Sequence, residues 1–383
     1  SSQKIFWHCK QIIMALVLNE EQALLKESAK DFFNLRAPIS AIRKLRDEKH
    51  PDGFEKALWE EMAKLGFAGI TIPEKYEGLE FGYVALGQLL EENGRTLSAS
   101  PIISTVLMSA TLLNLAGTEE QKNEYLPQIA SGNLLVSLAH QETSVYKPNR
   151  VETKATKEGN NYILNGSKTF VLDAHVADKL VVSTQLNSEV ALFIVDAKIE
   201  GLKIAKTPLI DSRYAANLEL TNVKVLASDK LSGGKETLES TLDITCIGLS
   251  AEMLGLAQEA FERTVAYLKE RKQFGVTIGS FQALQHRAAK IFIEIELCKS
   301  IVIKALTAVD NNSENLSELA SLAKAKLGQT VKLVTNEAIQ MHGGIGMTDD
   351  MDFGFFIKRA RVLQQTLGDY NYHLDRYASL NGY

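Results

Sequence analysis

Three short stretches carry the side chains, or the backbone freedom, that chemistry needs. The first, RKQFGVTIGSFQALQHR (271–287), joins Arg271 to Phe274-Gly275 and then to Gln282. A guanidinium makes forked hydrogen bonds to a diphosphate, and an exposed phenyl ring stacks on a flat heterocycle. The same stretch also reads simply as a helix end with basic flanks. The second, EAIQMHGGIGMTDD (337–350), runs a helical pattern into His342-Gly343-Gly344. Paired glycines let a backbone come close to a ligand, and Gln340 offers an amide donor and acceptor. The third is Gly368-Asp369, where a basic helical run ends in a carboxylate. It is either a capping glycine followed by an exposed acid or a site of proton transfer. No Walker A, GxSxG or strand-borne GxGxxG occurs, and no HExxH or Cys/His cluster marks a metal site, so no metal is expected.

Bulk properties narrow the field. The chain has 383 residues, 45% hydrophobic and 23% charged, with a net charge of −5. That length holds two or three domains and a large core. The balance gives no reason to expect nucleic acid or an anionic membrane as partner. Cys9, Cys246 and Cys298 are odd in number and widely separated, which favours a reducing, cytoplasmic setting. The apolar run near the start is too short for a membrane span. Met14 precedes ALVLNEEQALL, where Asn19 and Gln22 form a helix-start signature. Residues 1–13 therefore read as an extension before a natural start at Met14.

The elements that position these stretches follow from periodicity. Residues 14–134 read as an all-α domain; Leu24, Leu25, Ala29, Phe32 and Phe33 form one helical stripe. The period changes over 135–230, where short alternating strands suggest a β-barrel and Asn165-Gly166 signals a hairpin turn. Over 231–383 the helical period returns. Leu316, Leu319, Ala323, Leu327, Val331, Val334, Ala338 and Met341 keep one stripe over many turns, as in an antiparallel bundle. The fold class is α+β without βαβ alternation, which excludes a doubly wound nucleotide fold.

In this order and on this layout, RKQFGVTIGSFQALQH followed by QMHGGIGMT resembles the acyl-CoA dehydrogenase family. IPEKYEGLEFG, YLPQIASGNLLVSLAHQE, NYILNGSKTFVLDAHVADKLVV and KRARVLQQ extend the resemblance over nearly the whole chain from Met14. It implies a helical domain, a middle β-barrel and a C-terminal four-helix bundle, assembled as a homo- or heterotetramer around FAD. On the family pattern Arg271 meets the FAD diphosphate, Phe274 packs near the adenine and Gln282 binds the adenosine portion. Gln340, Gly343 and Gly344 contact FAD from a neighbouring subunit, and the run Phe170-Val171-Leu172 lies along the isoalloxazine. The implied reaction is α,β-dehydrogenation of an acyl-CoA, with electrons passed on to an electron-transfer flavoprotein.

The departures concern the catalytic base. Where the family usually carries its glutamate this chain has Gly368, and at the alternative helix position it has Thr245. Two carboxylates lie nearby, Asp369 and Asp243, and either is a candidate base; a partner subunit, or no base at all, are the other readings. The family's TEPGAGSD loop is replaced by HQETSVYKPN (140–149), and Phe170-Val171-Leu172 lacks the usual hydroxyl. A subunit of weak or no activity in a heteromeric enzyme for bulky, steroid-like acyl-CoA is therefore a second reading. An oxidase of the same fold is a third, for which the chain is short.

Overall fold

The computed structural model of the protein describes residues 18–383. The suggested start at Met14 and the extension before it lie outside the described residues. The described residues separate into two compact units: 18–43, 83–98 and 246–383 form the first, and 44–82 with 99–245 form the second. In chain order the early helices are α1 (Glu20–Arg36), α2 (Ile39–Asp47), α3 (Lys56–Lys64), α4 (Gly82–Thr96), α5 (Thr111–Ala116) and α6 (Glu119–Ala130). Strands β1 to β9 lie between Val136 and Thr277. The later helices are α7 (Lys235–Glu270), α8 (Gln282–Asp310), α9 (Leu316–His342), α10 (Phe353–Gln365) and α11 (Tyr370–Leu380). This is the expected α+β order of helices, sheet and helices. No helix among the described residues is long and apolar enough to cross a membrane.

In the first unit, α1 starts at the signature residues. Asn19 accepts from the Gln22 amide at 2.8 Å, and Gln22 accepts from the Asn19 amide at 3.1 Å. Ala29 and Phe33 are buried, but Leu24, expected on their stripe, is 66% exposed. At about 100° per residue Leu24 lies roughly 140° from Ala29 and 180° from Phe33, so the covered face misses it. Helix α9 buries Leu319, Ala323, Leu327, Val331, Val334, Ala338 and Met341, as its period requires. Helices α4 and α7 cross closely: a Cβ on Gly94 would strike the Glu252 carbonyl, and one on Gly255 the Glu91 carbonyl. Asp310 at the end of α8 accepts from the Tyr83 and Val84 amides at 2.6 and 3.0 Å and so caps α4.

The second unit holds a curled seven-stranded sheet of β1 (Val136–Ala139), β2 (Lys154–Glu158), β3 (Asn161–Leu172), β4 (Lys179–Leu186), β5 (Glu189–Asp196), β6 (Leu202–Pro208) and β7 (Tyr214–Leu226). Its order is β1-β4-β2-β3-β7-β6, with β5 on the other side of β4. β1 runs parallel to β4; the β2–β3, β3–β7, β4–β5 and β6–β7 pairs are antiparallel. Leu164, Val171, Leu180, Val182, Phe193, Val195, Leu218 and Val223 fill the interior.

Asn165-Gly166 is not the hairpin turn expected from its residue types. β3 passes through it, and the register against β7 shifts between Leu164 and Gly166, so the pair makes a bulge. Gly166 is needed there because a Cβ would strike Thr153. The turn joining β2 to β3 lies earlier, between Glu158 and Asn161, with Gly159 at φ +60°.

Candidate functional site

The exit of α7 forms a small ribbon in which β8 (Lys272–Gln273) pairs with β9 (Val276–Thr277). Phe274 and Gly275 make its two-residue tip, with φ of 55° and 79°. Two positive φ values are what this turn requires, and phenylalanine there costs about 1–2 kcal/mol. Phe274 is nevertheless 90% exposed, touching Phe281 edge-on at 6.2 Å. Arg271 and Gln282 are exposed on either side of the ribbon. A strained, exposed ring beside an exposed guanidinium suits a flat heterocycle carrying a diphosphate, which is the chemistry of a flavin dinucleotide.

The exit of α9 belongs to the same unit. His342 stacks on Tyr267 of α7 at 4.1 Å and meets Phe353 at 4.2 Å, which brings the ends of α7 and α9 together. Its Nδ1–H donates to the Ala338 carbonyl at 2.7 Å, and burial lowers the pKa of the ring. Gly343 then takes φ 66° and ψ −146°, open in practice only to glycine, although a Cβ would meet nothing. Gln340, Gly343 and Gly344 are exposed, and the Gly343 N–H donates to the Gln340 carbonyl.

Around Gly368 the first unit builds a buried polar floor. Leu367 and Gly368 have φ of 57° and 97° and turn the chain from α10 into α11. Asp369 is half-buried and caps α11: its Oδ1 accepts from the Tyr372 amide at 3.0 Å. Under the turn, Lys324 donates to the carbonyls of Gln364 at 3.1 Å and Gly368 at 2.8 Å. Burial pushes this ammonium down to about 8. The Nε2–H of His373 donates to the Leu367 carbonyl at 2.8 Å, and the Cys246 sulfur lies 3.9 Å from both. Burial, helped by the Lys324 charge, pushes His373 down to about 3, so the ring is neutral. The sequence gives no signal for Lys324, because a lysine beside an apolar stripe ordinarily reaches water.

The remaining sequence candidates lie in the second unit. Thr245 turns its hydroxyl back to the Thr241 carbonyl at 2.7 Å, and Asp243 is buried. Phe170 has φ 54° in a bulge where β3 shifts register between Lys168 and Val171. The side chain of Asn217 holds this bulge, accepting from the Thr169 hydroxyl at 2.9 Å and the Phe170 amide at 3.3 Å. Leu172 is half-buried, and Asp173 after it again has φ 54° and accepts from Ser104 at 2.6 Å. A cavity of about 740 Å³ opens in the same unit. Pro148, Asn149 and Val151, the Ser188-Glu189 turn, Gly233 and Gly234, and the start of α7 up to Leu242 line it.

The first-unit and second-unit candidates thus form two groups. Residues 19–133 match the family model described as acyl-CoA dehydrogenase, N-terminal domain, and residues 232–379 match its C-terminal domain. A 3-(aryl)acrylate reductase of Clostridium sporogenes is 31% identical over 363 residues, 91% of this chain and 95% of that protein. A probable acyl-CoA dehydrogenase, YngJ, of Bacillus subtilis is 31% identical over 371 residues, 92% of this chain and 95% of that one. The solved structure of a variant of the Tcur3481-Tcur3483 steroid ACAD superposes with a TM-score of 0.87 at 30% identity, over 94% of this chain and 98% of that one. The chain belongs to the acyl-CoA dehydrogenase family.

Proposed function

We propose that this protein dehydrogenates an acyl-CoA thioester between its α and β carbons and passes the electrons to an electron-transfer flavoprotein. The observation that carries the reading is the ribbon tip, where Phe274 stands exposed in a strained conformation beside exposed Arg271. Arg271, Phe274 and Gln282 would hold the adenosine diphosphate half of FAD. Gln340, Gly343 and Gly344 would reach FAD of a neighbouring subunit, and Phe170 to Leu172 would lie along its ring. Bound FAD supplies the two-electron acceptor. The cavity beside the start of α7 would take the coenzyme A arm, since its size and polar lining suit a pantetheine chain.

Proton removal falls to a carboxylate. The capping hydrogen bond of Asp369 uses Oδ1 and leaves Oδ2 to accept the α-proton. Asp243, one residue from cavity-lining Leu242, is the other candidate. In assembly, exposed Phe292, Ile293 and Leu297 on α8 offer an apolar stripe for a second subunit, in a tetramer of like or unlike chains.

A second reading is favoured by one observation: neither family position for the acid carries a carboxylate, and Asp369 is engaged as a helix cap. The chain would then be the weakly active half of a heteromeric enzyme for bulky acyl-CoA.

Purification of the chain alone decides between them. The first reading expects yellow protein that turns over a saturated acyl-CoA with an artificial acceptor, or reduces an α,β-unsaturated one. Arg271→Ala should lose flavin. Yellow but inert protein supports the second reading, and colourless wild-type protein would sink both. Asp369→Asn and Asp243→Asn, assayed separately, identify the base; full turnover in both removes both candidates.

A further inference from the structure

Outside the groups already assigned, the second unit contains a buried ion pair that no step of the proposed reaction uses. The Glu142 and Lys168 side chains are 4% and 0% exposed, with 2.6 Å between Oε1 and Nζ. The Glu142 carboxylate also accepts from the Thr153 amide at 3.0 Å, the Thr153 hydroxyl at 2.7 Å and the Glu152 amide at 2.6 Å. One carboxylate therefore ties together the two ends of the 143–151 loop, whose Pro148, Asn149 and Val151 line the cavity.

Lys168 is equally committed. Besides Glu142, its ammonium donates to the His140 carbonyl at 3.3 Å and to the Ser183 hydroxyl at 3.0 Å, so all three N–H groups have acceptors. Lys168 is also the last residue of β3 in register before the Phe170 bulge, and the Thr169 amide after it donates to the Gln141 carbonyl at 2.7 Å. The pair thus joins the root of the loop to the root of the bulge. Burial opposes ionisation of Glu142, but the Lys168 charge and these hydrogen bonds hold its carboxyl below the usual range.

We propose that Glu142 and Lys168 are positioning residues: they fix the loop wall of the coenzyme A cavity and the Phe170 bulge to each other in one geometry. The proposal rests on the acyl-CoA reading for its ligand, but not for its mechanics. A buried pair kept for stability alone would be replaceable by apolar side chains of similar volume, often without loss. Positioning would not survive that exchange, because the Glu152 and Thr153 amides would lose their acceptor.

The test compares wild type, Glu142→Gln and the double variant Glu142→Leu/Lys168→Met, all as full-length protein with its flavin. Hydrogen exchange of residues 141–153 reads the loop without any ligand, and calorimetry with coenzyme A reads the cavity. In the double variant we expect a melting temperature near that of wild type, loss of amide protection across 141–153, and coenzyme A binding at least tenfold weaker. Glu142→Gln, which keeps an acceptor oxygen, should lie between. Unchanged protection in the double variant overturns the proposal. If that variant fails to fold, unchanged protection in Glu142→Gln does so instead. Wild-type protein that binds no coenzyme A contradicts the acyl-CoA reading, while hydrogen exchange still decides whether the pair holds the loop.

Discussion

Two lysines are buried among the described residues, one in each unit, and they are buried differently. Lys168 and Lys324 are both 1% exposed, and burial pushes both down to about 8. Lys168 has a carboxylate and two neutral acceptors. Lys324 is held by the Gln364 and Gly368 carbonyls, at the end of α10. The Gln364 carbonyl is one of the last acceptors that α10 leaves unsatisfied, where the helix dipole favours a cation, and the Gly368 carbonyl lies in the turn that follows. The first lysine is one member of a charge pair that ties a loop to a strand; the second is a charge that ties off a helix end. The contrast shows that burial of a charge does not by itself reveal its task, whereas its acceptors do.

The largest effect that would separate them is on stability. Lys168→Met leaves the Glu142 carboxylate buried and unpaired, which should cost about 3–5 kcal/mol. Lys324→Met removes a buried charge and leaves two carbonyls without their donor, for a smaller cost of about 1–3 kcal/mol. Denaturant unfolding of the two variants checks the order, and equal losses would break the comparison. A smaller, pH-dependent effect sharpens it. An unfolded lysine titrates near pH 10.4, so between about pH 8 and 10.4 the unfolded chain binds more protons than the folded one. Stability should therefore rise with pH through that window, and Lys324→Met should lose its share of the rise. An identical rise in the variant would mean that Lys324 is not held as a buried ammonium. The smallest effect is expected at Asp369, where Asp369→Ala removes the α11 cap at a cost of about 1 kcal/mol. A loss several times larger would mean that this carboxylate holds more than one helix end.

Much of this architecture was legible in the sequence, and the misses share a cause. Periodicity located the α9 stripe from Leu319 to Met341, and the Asn19–Gln22 signature located the start of α1, because both are local patterns. Leu24 failed because one face of α1 is covered more narrowly than its apolar residues suggest. Asn165-Gly166 failed because the same two residue types serve a turn or a bulge, and pairing with β7 decides which. Lys168 and Lys324 were invisible, since their acceptors come from Glu142, Ser183, Gln364 and Gly368, all distant in sequence. The residues proposed to hold FAD are singled out only by the resemblance: taken alone, Arg271 and Gly343 are helix ends. At Gly368-Asp369 the structure shows the capping reading, while proton transfer belongs to the proposed function. The glycine turns the chain and the aspartate caps a helix.

The central claim, that this chain oxidises an acyl-CoA through bound FAD, is tested most directly by anaerobic titration of the purified yellow protein with saturated acyl-CoAs of short, branched and bulky chains. The account predicts bleaching of the visible flavin band by at least one of them, with an equal amount of enoyl-CoA formed. A flavin band unchanged by every member of the panel, with the chain alone and with a homologous partner subunit added, would contradict it.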